Sequence, residues 1–120
     1  MNILVIDDNV ALVETQAMML EVMGHTPTVA LTGYAGIEAA KTCQPQLILL
    51  DLGLPDLDGN EVCRLLRQIK ALESVVIVAQ TGRSEACDFD AAKAAGFDRI
   101  IVKPAPFEQL QSLIASIDAC

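Results

Sequence analysis

Three uninterrupted apolar runs constrain this chain most: Ile3-Leu4-Val5-Ile6, Leu47-Ile48-Leu49-Leu50 and Val75-Val76-Ile77-Val78-Ala79. They are continuous rather than alternating, which suits strands buried on both faces of a parallel sheet. Helical patterns fill the intervals. Val13, Ala17, Leu20 and Gly24 follow 3.6-residue spacing, as do Val62, Leu65, Leu66 and Ile69, and later Leu110, Leu113, Ile114 and Ile117. Residues 34–42 and 85–95 are weaker, alanine-rich helical stretches. Pro27–Ala30 and Ile100–Val102 supply two more short strands.

Five such βα units in 120 residues, with no linker or repeat, make one domain over residues 1–120. The expected class is α/β: a doubly wound, flavodoxin-like sheet of five parallel strands with helices on both faces. Order 2-1-3-4-5 is the doubly wound arrangement that fits this length. Boundary signals agree with it. Asp58 with Glu61 resembles a capping box, Pro106 suits the first turn of the last helix, and Gly24 and Gly96 stand where helices should stop.

Charge and composition exclude several classes. Sixteen Asp and Glu oppose eight scattered Lys and Arg, for a net charge of −8. Without clustered bases, direct nucleic-acid binding is not expected. The apolar runs are too short to span a bilayer, and the N-terminus lacks the basic and long apolar regions of a signal peptide. No membrane insertion is expected, and a cytoplasmic location is. Cys43, Cys63, Cys87 and Cys120 form no C-x-x-C pair and read as free thiols in a reducing compartment. The single histidine, His25, reads as an exposed turn residue.

In the 2-1-3-4-5 order ligands bind beyond the carboxyl ends of strands 1 and 3. Strand 1 ends in Asp7-Asp8 and strand 3 in Asp51. At separations of about 5 Å and an effective dielectric near 20, each carboxylate pair repels by roughly 3 kcal/mol. A cation would relieve that, and a set of hard oxygen ligands points to magnesium or manganese. The bland alternative is solvated loop acids or helix caps, with Asp8 capping the first helix. Strand 4 ends near Thr81 and strand 5 in Lys103-Pro104. A hydroxyl, an ammonium and a dication around a carboxylate would clamp a phosphoryl group. Asp51, at the sheet's centre, is the best-placed nucleophile for an acyl phosphate.

Asp7-Asp8, Asp51, Thr81 and Lys103-Pro104, with the loop Asp51-Leu52-Gly53-Leu54-Pro55-Asp56-Leu57-Asp58-Gly59, resemble the signature of bacterial response-regulator receiver domains. The resemblance extends over essentially the whole chain, with some likeness to receivers of hybrid sensor kinases. It implies that Asp51 takes a phosphoryl group from a phosphohistidine of a sensor histidine kinase or histidine phosphotransfer domain. It also implies Asp8, Asp51 and the Gly53 carbonyl as magnesium ligands, with Asp7 acting through a metal-bound water. Thr81 and Lys103 would bind phosphoryl oxygens, and the Lys103-Pro104 bond would be cis. Helix 1 would dock the phosphodonor. Helix 4, strand 5 and helix 5 would present a changed surface to an output partner that the sequence does not identify. Such domains also hydrolyse their own acyl phosphate, at a rate bearing on positions 53 and 83, Gly53 and Arg83 in this chain.

One position departs from the family pattern. Ile100 stands where an aromatic ring is usual, so any switch is expected to work through backbone and loop shifts around Thr81 to Ser84. The rival reading of the acid cluster is a magnesium-dependent phosphohydrolase acting through an aspartyl phosphate.

Overall fold

A computed structural model describes residues 1–82, 89–103 and 105–118. Five parallel strands, β1 (Asn2–Ile6), β2 (Thr26–Ala30), β3 (Leu47–Asp51), β4 (Val76–Gly82) and β5 (Arg99–Lys103), form one sheet in the order 2-1-3-4-5. The helices are α1 (Val10–Val22), α2 (Gly33–Cys43), α3 (Gly59–Arg67), α4 (Phe89–Ala95) and α5 (Phe107–Asp118). The expected α/β architecture is therefore the observed one.

Side chains alternate across each strand, so the sheet feeds two cores. Leu4, Ile6, Ile48, Leu50, Ile77 and Ala79 pack under α2, α3 and α4. Ile3, Val5, Leu47, Leu49, Val78 and Ile101 pack under α1 and α5. The central strands are buried on both sides, which is why their sequences run apolar without a break.

Local signals terminate the helices. Gly24 (φ 90°) and Gly96 (φ 113°) take the left-handed conformation after α1 and α4, where a side chain would be strained. Asn9 caps α1, its side chain accepting from the Leu12 N–H, so the cap is not Asp8. Asp58 caps α3 by accepting from Asn60, but Glu61 turns to Arg64 at 3.0 Å instead of closing a capping box. Pro106 directly precedes Phe107, the first residue of α5, and opens the helix's first turn, its carbonyl receiving the Gln109 and Leu110 N–H groups.

Strand limits shift as well. Thr26 joins β2 and Arg99 joins β5. Val75 leaves β4, and its carbonyl instead accepts Arg67 Nη1 at 2.6 Å. Arg67 also donates to the Gly96 carbonyl and to Asp98, tying α3 to the amino-terminal end of β5. His25 is half-buried, with Nδ1 3.0 Å from the Met1 amine, rather than exposed. Residues 85–88 of the expected fourth helix lie outside the described residues, as do Arg83, Ser84, Cys87, Pro104 with its expected cis bond, and Cys120. Of the four thiols, Cys43 and Cys63 are described and are free; burial pushes the Cys63 thiol up to about 11.

Candidate functional site

The carboxyl ends of β1, β3, β4 and β5 meet where the sheet's winding reverses. Strand alternation determines which way each end residue points. Asp7 continues the Ile3–Val5 side, Asp51 the Leu47–Leu49 side and Lys103 the Ile101 side, all toward α1 and α5. Thr81 continues the Ala79 side, toward α3 and α4. The site therefore straddles the end of the sheet.

Asp7, Asp8 and Asp51 each offer a carboxylate oxygen within 4.8 Å of the others. Asp7 and Asp51 are buried, while Asp8 faces solvent. Lys103 Nζ lies 3.1 Å from Asp7 Oδ2 and 2.9 Å from Asp51 Oδ1, so one ammonium serves two buried carboxylates. Burial, reinforced by the charge of Asp51, holds the Asp7 carboxyl above the usual carboxylate range against the Asn9 N–H and Lys103, which favour its anion. Burial acts to lower the Lys103 ammonium, but its bonds to Asp51 and Asp7 outweigh this and raise it.

The β3–α3 loop is built around Asp51. The Gly53 N–H donates to Asp51 Oδ1 at 3.1 Å, and the Leu52 N–H donates to the Gln80 carbonyl at 3.2 Å. Asp51 Oδ1 thus carries both Lys103 and Gly53, leaving Oδ2 without a donor among the described residues. Gly59 closes the loop. A Cβ there would lie 2.6 Å from both the Asp51 carbonyl oxygen and Leu52 Cα, so only glycine permits this approach. Asp56 accepts the Gly33 and Tyr34 N–H groups at 2.8 and 3.0 Å, pinning the loop to the start of α2. Those bonds hold its carboxyl below the usual range.

Every sequence-derived site residue among the described ones lies at this end of the sheet: Asp7, Asp8, Asp51, Gly53, Thr81 and Lys103. The donor set suits a hard dication: three carboxylates offer oxygens within 4.8 Å of one another, and that of Asp8 is open to water. Ile100 is half-buried beside Phe97, Asp98, Arg99 and Lys93 around a shallow cavity of about 360 Å³.

Sequence reasoning missed two glutamines. Gln16 of α1 and Gln80 of β4 are both fully buried, and their carboxamides exchange hydrogen bonds of 2.6 and 3.3 Å. Gln80 is the register partner of Asp51. The available signal was a polar residue interrupting the apolar run just before Thr81.

Comparison with known proteins finds a match to the model of the response regulator receiver domain over residues 3–115. The KDP operon transcriptional regulatory protein KdpE of Escherichia coli K12 is 40% identical over 111 residues, covering 92% of this chain and 48% of KdpE. The signal transduction histidine-protein kinase BarA of the same organism is 29% identical over 114 residues, covering 95% of this chain and 12% of BarA. This chain thus spans about half of one relative's length and a small part of the other's. Among solved structures, the receiver domain of sensor histidine kinase PA1611 from Pseudomonas aeruginosa PAO1 aligns with a TM-score of 0.89 and 26% identity, covering 99% and 98% of the two chains. That structure holds a magnesium ion in its active site cleft. No helix of this chain, among the described residues, is long and apolar enough to cross a membrane.

Proposed function

The chain belongs to the response regulator receiver domain family, and from that premise we propose that Asp51 accepts a phosphoryl group from a phosphohistidine of a sensor histidine kinase or histidine phosphotransfer domain. The observation that carries this reading is the shared ammonium. A buried carboxylate at the middle of the sheet is paired at 2.9 Å with a lysine that also neutralises Asp7.

Asp8, Asp51 and the Gly53 carbonyl would hold magnesium, or manganese in its place, with Asp7 acting through a bound water. When bound, the dication supplies positive charge that offsets the phosphoryl oxygens and the carboxylates. Asp51 Oδ2, the oxygen not held by Lys103 and Gly53, attacks phosphorus. The new P–O bond forms as the P–N bond to imidazole breaks, and the departing imidazole keeps the electron pair and takes a proton from solvent. Asp51 then no longer bears a carboxylate charge, so Lys103 is released to a phosphoryl oxygen and Thr81 donates its hydroxyl to another. Attack by water on phosphorus returns the carboxylate and releases inorganic phosphate, which limits the signal's lifetime. Helix α1, whose Val10, Met18 and Val22 are exposed, is the face offered to the phosphodonor. The α4–β5–α5 side is the face offered to the output partner, with backbone shifts beyond Thr81 replacing a ring at Ile100. A cytoplasmic setting matches such a donor.

Incubation with magnesium and acetyl phosphate tests the reading. The expected result is one phosphoryl group per chain, lost in Asp51→Asn and absent without the metal. Multiple turnovers on phosphoesters, or phosphorylation persisting in Asp51→Asn, would overturn it.

A further inference from the structure

Helix α1 has an unusual sequence for a helix packed on one side. Val13 and Leu20 are buried, yet Met18 and Val22, toward the opposite side, and Val10, on the flank next to Val13, are apolar and exposed. The centre of the buried side is polar: Gln16, fully buried between those two residues in sequence. Apolar burial is non-directional, so the stripe of Val13, Ala17 and Leu20 turns α1 toward the sheet without fixing its exact rotation. A reciprocal amide pair is directional. Gln16 Nε2 reaches Gln80 Oε1 at 2.6 Å and Gln80 Nε2 reaches Gln16 Oε1 at 3.3 Å, across 64 residues of sequence. Another rotation of α1 would leave the buried Gln80 carboxamide without its partner.

The setting of α1 matters because the acid turn runs straight into it. Asp7 ends one residue past β1, Asn9 is the cap of α1, and Asn9 N–H donates to Asp7 Oδ1 at 3.0 Å. The Asp8 side chain has no hydrogen bond among the described residues, so its place is set by the backbone leading into the helix. On the other side of the pair, Gln80 is in register with Asp51 and accepts the Leu52 N–H.

We propose that Gln16 and Gln80 are positioning residues: their amide pair fixes the rotational setting of α1 on the sheet and thereby the placement of the Asp8 carboxylate beside Asp7 and Asp51. The metal half of this inference rests on the function proposed above; the helix half does not.

The test uses Gln16→Met, Gln80→Met and the double variant, since methionine keeps the shape and removes the amide. Each single variant strands one buried carboxamide and lowers the urea midpoint. The double variant strands neither and returns close to the wild-type midpoint. Magnesium affinity, followed by amide chemical shifts, stays at least fivefold weaker in the double variant, and nuclear Overhauser contacts from α1 to the sheet change in the metal-free protein. A purely structural pair would recover affinity together with the midpoint. Wild-type affinity and wild-type contacts in the double variant would overturn the proposal. If wild-type protein shows no magnesium-dependent shifts, the function reading and the metal half fail together, and the metal-free contacts alone decide the helix half. Should the double variant not fold, the wild-type Gln16 and Gln80 side-chain amides must show a mutual Overhauser contact; its absence sinks the pair.

Discussion

Replacing Lys103 with methionine tests the electrostatic account of the site most directly. The ammonium sits 3.1 Å from Asp7 and 2.9 Å from Asp51, and both carboxylates are essentially inaccessible. At an effective dielectric near 20 each contact is worth about 5 kcal/mol of attraction, against at least about 3 kcal/mol of repulsion between carboxylate oxygens no more than 4.8 Å apart. Desolvation of the ammonium offsets much of that gain. Breaking a buried pair by removing one partner nevertheless costs roughly 3–5 kcal/mol, because the charge left behind is uncompensated. For a chain of this size that corresponds to a Tm lower by about 10–20 °C in metal-free buffer at neutral pH. Far-ultraviolet circular dichroism is the suitable probe, as the chain has no tryptophan and one tyrosine. The deficit should narrow on acidification, since the pairing needs ionised carboxylates, and magnesium should recover more stability in the variant than in the wild type. A loss below about 1 kcal/mol at neutral pH, well under the cost of breaking a buried pair, would refute the reasoning. So would a loss equal at pH 4 and pH 7.

Three other substitutions separate the components. Burial raises the Asp7 carboxyl, so the folded state favours its protonated form and ionisation costs stability as pH rises through that raised value. Metal-free Asp7→Asn should therefore melt above wild type at pH 7, lose that advantage toward pH 3, and bind magnesium more weakly by calorimetry. Gly59→Ala would push a methyl against the Asp51 carbonyl and Leu52 Cα, costing about 1–3 kcal/mol in urea unfolding and slowing phosphorylation by acetyl phosphate. Arg67→Met removes guanidinium bonds to the Val75 and Gly96 carbonyls at the far end of the sheet. It should cost about 2–4 kcal/mol by thermal melt while leaving magnesium affinity unchanged.

What could be read in the sequence was what local patterns encode. The runs ending at Ile6 and Leu50 reveal strands, and the acids that follow them reveal where each strand leaves the core. Position 80 shows where such reading stops. A glutamine after Val78-Ala79 looks like the exit from the sheet, yet β4 continues to Gly82 with Gln80 buried. Its partner lies 64 residues away, a second polar residue on the buried side of a helix where the apolar pattern marks only Val13 and Leu20. Val75 is the converse case: apolar and buried, so it reads as strand, but its carbonyl is taken by Arg67 and the ladder begins one residue later. Asp56 was visible only as a loop acid, because its value lies in two N–H groups of α2 brought near by the fold.

The placement of Lys103 and Thr81 on opposite sides of the sheet gives the proposed chemistry a mechanical consequence. In the unmodified protein the ammonium holds Asp7 and Asp51 together on the α1–α5 side, and Thr81 belongs to the α3–α4 side. A phosphoryl group on Asp51 moves the negative charge outward from the carboxylate, to oxygens that Lys103 and Thr81 must reach from different faces. Satisfying both draws the ends of β4 and β5 toward one point, although their side chains there serve separate cores. Because packed interiors resist continuous deformation, such a pull would fall on the strand ends rather than on the two cores.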